Sequence, residues 1–212
     1  MGNFVHHLSG GIAIGAACGA VAYYQFHTPV TDAAAFAIIA CVGSLLPDVD
    51  SPHSKPNDMA FGLASVLAPV FTLQSVGIWK FTSSQIILIA LFLYGFVRYG
   101  LRTLMRQFSV HRGMFHSIPA AIVWGALVYQ AFRLSPQLIK NVAAASALLG
   151  FITHLVIDEM FSLVSFDGTQ LAPKKSFGTA LKFASSSLLA TTTTYALMAV
   201  LLYACLRNMK VL

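Results

Sequence analysis

The sequence predicts an all-α protein, a multi-pass transmembrane helical bundle of about seven membrane helices forming one domain over 1–212. Three observations predict it. Of 212 residues, 57% are hydrophobic and 9% charged, where soluble domains carry about a quarter charged, and the mean hydropathy is +0.75. Apolar runs recur, several close to the ~20 residues that span a hydrocarbon core. Polar or turn-forming residues bound each run, which makes the runs separate helices joined by short connections.

The runs fall at 8–26, 33–47, 60–79, 84–101, 118–133, 142–163 and 183–206. In the first, Gly10, Gly11, Gly15 and Gly19 stand among alanines, a spacing of small residues that lets membrane helices approach closely. Thr28 and Pro29 mark the turn into the short second helix, which Pro47 and Pro52 close. Ser117 suits the N-cap of the fifth helix and Pro119 its first turn; Pro136 sits in the connection before the sixth. In the seventh, Ser185, Ser186, Ser187 and Thr191 to Thr194 are read as hydroxyls bonding their own backbone rather than as a polar path. Cys18, Cys41 and Cys205 lie scattered inside apolar runs, without the paired spacing of a disulfide or zinc ribbon, and are read as packing residues.

The net charge of +6 does not point to nucleic acid, and direct binding to it is not expected. Arg98, Arg102, Arg106 and Arg112 crowd the end of one apolar run, as charges of cytoplasmic loops do. Lys55, Arg102, Arg106, Arg112, Lys174, Lys175 and Lys182 fall in loops of one parity, against Lys80, Arg133 and Lys140 in the other, so the first set is expected to face the cytoplasm. The N-terminus is then inside and, with seven spans, the C-terminus outside, where Arg207 and Lys210 run against the bias. No Lys or Arg precedes Lys55, so the start lacks the basic region of a secretory signal and is expected to be retained.

Four segments hold the ionisable residues of interest: His6-His7, Asp48-Val49-Asp50, His111-Arg112 through His116-Ser117, and His154 through Asp158-Glu159. Hairpin folding places all four at one membrane face, although their His and Asp residues were not used to assign the topology. His154 and Asp158 stand one helical turn apart and share a helix face. Asp48 and Asp50 follow a proline, and an extended turn there would point both carboxylates the same way. His111 and His116 bracket a glycine turn. Spacing alone leaves His6 and His7 equivalent. His27 and His53 are isolated, and Asp58, Asp167, Lys174 and Lys175 read as solvated loop residues; the connection 164–182 is long enough to cover a site. Burying His154 and Asp158 near hydrocarbon costs on the order of 2–3 kcal/mol each, so an ion or an opposing charge must compensate them.

His and carboxylate ligands without Cys suit a divalent metal, zinc or manganese foremost, and His7 with Asp48, Asp50, His111, His116, His154 and Asp158 exceed one tetrahedral shell, so one or two ions fit. A pair of ions serves phosphoester cleavage. Arg112 is then the clamp for an anionic oxygen, and where only one ion binds, an aspartate, Asp50, is free to act as general base.

The pattern Leu45-Leu46-Pro47-Asp48-Val49-Asp50, then His111-Arg112-Gly113-Met114-Phe115-His116-Ser117, then Thr153-His154-Leu155-Val156-Ile157-Asp158 resembles the YdjM-like family of LexA-binding, inner-membrane-associated, metal-dependent hydrolases of bacteria. The resemblance runs from about His7 to Asp158, and the His-Arg-Gly-x-x-His-Ser segment is its most specific part. It implies a hydrolase, a metal, LexA as a partner and a place in the inner membrane, and it favours His7 over His6. Two departures touch the substrate pocket: Ser51 stands where members often carry His, and Glu159-Met160-Phe161-Ser162 replaces a Thr-Pro turn.

The reading is a membrane-embedded metal-dependent hydrolase at the cytoplasmic face, acting on a phosphoester or a lipid headgroup, with membrane lipid as its partner. A transporter or channel would place ionisable residues near mid-membrane, often in two related halves, and neither feature is present. A membrane adaptor with a structural metal differs by a closed coordination shell.

Overall fold

The computed structural model describes residues 3–50, 55–101, 103, 114–163, 165–167, 170–172 and 181–209. Seven α-helices lie among them: α1 (Phe4–Gln25), α2 (Val30–Gly43), α3 (Lys55–Val76), α4 (Ser83–Gly95), α5 (Ile118–Ala131), α6 (Gln137–Leu163) and α7 (Leu188–Asn208). Each coincides with one predicted apolar run. A π-helical turn, Phe96–Leu101, continues α4, and short 3-10 segments cover Pro47–Asp50 and Ile78–Lys80. Within the connection read as loop, β1 (Ser165–Asp167) pairs antiparallel with β2 (Gln170–Ala172), Phe166 opposite Leu171.

Among the described residues four helices are long and apolar enough to cross a membrane: α1, α4 with its π turn, α6 and α7. The expectation of seven spans is therefore met only in part. Helices α2 and α5 are apolar but have 14 residues each, about 21 Å at 1.5 Å per residue, against a hydrocarbon core of ~30 Å. Helix α3 has 22 residues but opens with Lys55, Asn57 and Asp58 and closes with Gln74 and Ser75, and it is not among the four.

The chain divides into two compact units, Met1–Pro47 with Arg112–Leu212, and Asp48–His111. In the first unit α2 packs against both α1 and α6, while α5 packs against α6 and α7. Glycines make these contacts close. A Cβ at Gly15 would sit 2.5 Å from the Ala37 carbonyl oxygen, and one at Gly43 would sit 2.8 Å from that of Ala147; Gly150 lies hard against the Ala40 carbonyl. Small side chains continue the seam, with Ala22, Ala33, Ala143 and Ala147 buried around Phe36 and Val128. The outward faces are apolar, as Leu197, Val200 and Tyr203 of α7 show, which suits a bundle solvated by lipid tails. In the second unit α3, with Pro69 inside it, packs on α4 and its π turn, and Arg98 Nη1 donates to the Asp58 carbonyl at 2.9 Å.

Two local readings change. Helix α6 starts at Gln137, immediately after Pro136, so Lys140 belongs to its first turns rather than to a loop. Its ammonium is buried, donates to Asn208 Oδ1 at 3.0 Å and lies 5.3 Å from the Tyr129 ring centroid. The α7 hydroxyls do bond their own backbone: Thr191, Thr192, Thr193 and Thr194 each donate to the carbonyl four residues earlier, at 2.7–3.0 Å.

Candidate metal centre

The opening turn of α1 settles which of its two histidines faces inward. Asn3 caps the helix, its side chain accepting from the His6 amide at 3.0 Å while His6 Nδ1 accepts from the Asn3 amide at 3.2 Å, a reciprocal box that satisfies two donors the helix would otherwise leave open. The His6 ring then lies on Phe161, centroids 4.2 Å apart. One residue on, roughly 100° around the helix, His7 points into the unit and is 1% exposed.

His154 and Asp158 lie on the buried stripe of α6 that also carries Ala143, Ala147 and Phe151, one turn apart as their spacing requires. His116 precedes α5, where Ser117 caps the helix by accepting from the Ala120 amide at 3.3 Å and Pro119 occupies the first turn. A main-chain bond from Ile118 N to the Lys182 carbonyl, 3.1 Å, ties this start to the strand-like segment before α7. The start of α1, the end of α6 and the start of α5 thus meet at one end of the unit.

Three imidazoles surround one carboxylate there. His7 Nε2 is 3.3 Å from Asp158 Oδ1, while His154 Nε2 and His116 Nε2 are 3.6 and 3.8 Å from Oδ2. The His7 and His154 rings stack at 3.8 Å, and His116 meets His154 edge-on at 5.4 Å. All four side chains are buried, and ligand atoms of His7, His154 and Asp158 lie within 4.8 Å of one another.

The donor set fits a divalent metal. A tetrahedral shell with bonds of about 2.0–2.1 Å has ligand–ligand edges of roughly 3.4 Å, close to the 3.3–3.8 Å separations here. The hydrogen bonding of His154 agrees. Its Nδ1 lies 2.8 Å from the Ser44 carbonyl oxygen, which can only accept, so Nδ1 carries a proton and Nε2 is the nitrogen turned toward the carboxylate. A second ring nitrogen donating to a carbonyl is the usual support of a metal-ligating histidine. His7 Nδ1 has no hydrogen-bond partner among the described residues.

Of the residues singled out in the sequence, His7, His116, His154 and Asp158 are brought together. Asp48 falls in the second unit, in the 3-10 segment Pro47–Asp50. That segment corrects the expected extended turn: with about three residues per turn, positions two apart do not share a side, so alternation no longer aligns the two aspartates. The Asp50 side chain, His111 and Arg112 lie outside the described residues, as does His53. His27 is exposed at the α1–α2 turn with a positive φ of 51°, apart from the cluster. Two contributors carry no motif: Ser44, whose carbonyl orients His154, and Asn3, whose cap decides between His6 and His7. The Asn3-to-His6 spacing was the available signal for the second.

Comparison with protein families returns one described as YdjM inner membrane protein, matched over residues 1–211. Among curated proteins and among solved structures none matches.

Proposed function

The chain belongs to the YdjM inner membrane protein family, and from that footing we propose that it is a metal-dependent hydrolase of the bacterial inner membrane. Its site faces the cytoplasm and acts on a phosphoester, a lipid headgroup foremost. The observation that carries the reading is the set of three imidazole nitrogens directed at the two oxygens of buried Asp158. His7, His116, His154 and Asp158 hold the ion; a bound divalent ion supplies Lewis-acid activation of water and of phosphoryl oxygens. The chain's own part is to keep these donors dry and aimed, with the His154 proton parked on Nδ1 against Ser44. Asp48, Asp50 and His111 complete the proposed ligand set, with Asp50 as base, and Arg112 holds the anionic oxygen of the substrate. Depth supports a lipid substrate: Asp158 lies four residues before the end of the apolar span Gln137–Ser162, about 6 Å along the axis, where headgroups begin. The cytoplasmic orientation rests on the distribution of Lys and Arg, and the multi-pass topology on the apolar helices long enough to cross.

The near-complete burial of the four residues also favours a second reading, a closed structural metal in an adaptor that recruits a soluble partner such as LexA. Elemental mass spectrometry of protein purified without chelators tests the metal. Stoichiometric zinc or manganese in the native chain, lost in His116→Ala and Asp158→Ala, supports the site; a metal-free native chain refutes both readings. A phosphoester screen, lipid and soluble, then separates hydrolase from adaptor.

A further inference from the structure

Ser44 is wholly buried at the C-terminal end of α2, where its amide closes the helix on the Ala40 carbonyl. The last carbonyls of any helix lack partners within it. That of Ser44 takes the His154 Nδ1 proton at 2.8 Å. The Ser44 hydroxyl lies 2.7 Å from the Cys41 carbonyl and 3.1 Å from the His7 carbonyl, and its single proton is shared between them. One residue therefore touches two of the cluster's histidines, on two different helices, without belonging to the cluster.

The packing that puts it there is equally specific. A side chain at Gly11 would collide with the Ser44 hydroxyl, and Gly15 continues the same contact against Ala37. On the other side Gly43 and Gly150 bring α2 against α6. Glycines on both flanks fix the end of α2 between the helices that carry His7 and His154.

We infer that Ser44 is the positioning residue of the centre: its carbonyl sets which His154 nitrogen faces Asp158, and its hydroxyl holds the turn of α1 that presents His7. This rests on the metal reading for its consequence, but not for its geometry. A residue that merely capped α2 would affect stability alone. Ser44 acts on the ligands, so its removal changes how the ion is held.

The test uses the full chain in lipid nanodiscs with 15N-labelled histidine. Solid-state NMR of the metal-free protein reads the His154 tautomer, assigned by the signal lost in His154→Gln. A ring protonated at Nδ1 is expected, and a ring protonated at Nε2 alone overturns the inference. In Ser44→Ala the carbonyl remains, so the His154 tautomer persists while the His7 signals move; unmoved His7 signals overturn the role of the hydroxyl. Titration with Co2+ supplies the metal readout. Ser44→Ala is expected to bind roughly 2–10-fold more weakly, the worth of one net hydrogen bond, with an altered visible absorption spectrum at unchanged helical content. Native-like affinity and spectrum overturn it. If the native chain takes up no Co2+, the metal reading fails, while the two NMR results still decide whether Ser44 positions the histidines.

Discussion

Asp158→Asn separates the charge of the centre from its shape. Asparagine has the volume of aspartate, and at a 3% exposed position it keeps the packing of α6 while removing the one carboxylate that three imidazoles face. An ionised carboxylate buried here carries a desolvation cost of several kcal/mol, which asparagine removes together with the attraction between Oδ1 and His7 Nε2, 3.3 Å away, so the metal-free variant should fold with stability near the native chain's. The loss appears when metal is present. An ion at 100 times its dissociation constant stabilises a folded protein by about 2.7 kcal/mol, and 1 kcal/mol moves the midpoint of a chain this size by ~2–4 °C. The native protein should therefore melt roughly 5–11 °C higher with zinc or manganese than with EDTA, and Asp158→Asn should melt alike in both. Thermal unfolding in detergent, followed by intrinsic fluorescence, measures it. A metal-dependent shift of native size in Asp158→Asn would refute the reasoning, since it would place the ion elsewhere.

His7→Ala should abolish the metal-dependent shift, whereas His6→Ala should keep it and cost only about 1 kcal/mol of stability through the weakened cap; equal effects of the two would contradict the inward assignment of His7. Gly150→Ala should destabilise by about 1–3 kcal/mol despite the ~1 kcal/mol gain in helix propensity, because its methyl meets the Ala40 carbonyl, a main-chain atom that cannot swing away; titration with SDS reads the sign. In a cysteine-free background, Val5→Cys beside His7 and Phe115→Cys beside His116, at the starts of α1 and α5, should be labelled by an impermeant thiol reagent from the same side of the membrane; labelling of the two from opposite sides would refute the common face of His7 and His116.

The helices were legible because lipid imposes a coarse rule: every backbone group must be paired within its segment, so apolar length alone locates them. Their starts were legible where a side chain makes the cap, as Ser117 does for α5. Within the site, His154 and Asp158 were legible because one helical turn fixes their relation regardless of the rest of the fold. The choice of His7 was legible through the family resemblance but not from spacing, since it depends on His6 being consumed by Asn3 and by the ring of Phe161, 155 residues away in sequence. Nor was the geometry of Pro47–Asp50, where helical and extended arrangements share one sequence pattern. Lys140 was misplaced because Asn208 and Tyr129 keep its ammonium inside the bundle, a tertiary contact that a count of loop charges cannot register.

The role of Ser44 was invisible for a deeper reason. What orients His154 is a main-chain carbonyl, and every residue type supplies one; only the place of that carbonyl is special. The sequence encodes that place indirectly, in Gly11 and Gly15 on one flank of α2 and Gly43 and Gly150 on the other, each of which had a sufficient explanation as membrane packing. In this fold the two explanations are one. Because the ligands sit on α1 and α6 and the orienting carbonyl on the helix between them, any loosening of the glycine contacts moves a histidine relative to its partner. Substitutions such as Gly15→Ala, two turns from the nearest ligand, should therefore weaken metal binding as well as stability. Binding of native strength in a destabilised Gly15→Ala would show that the seam only packs the bundle and does not tune the centre.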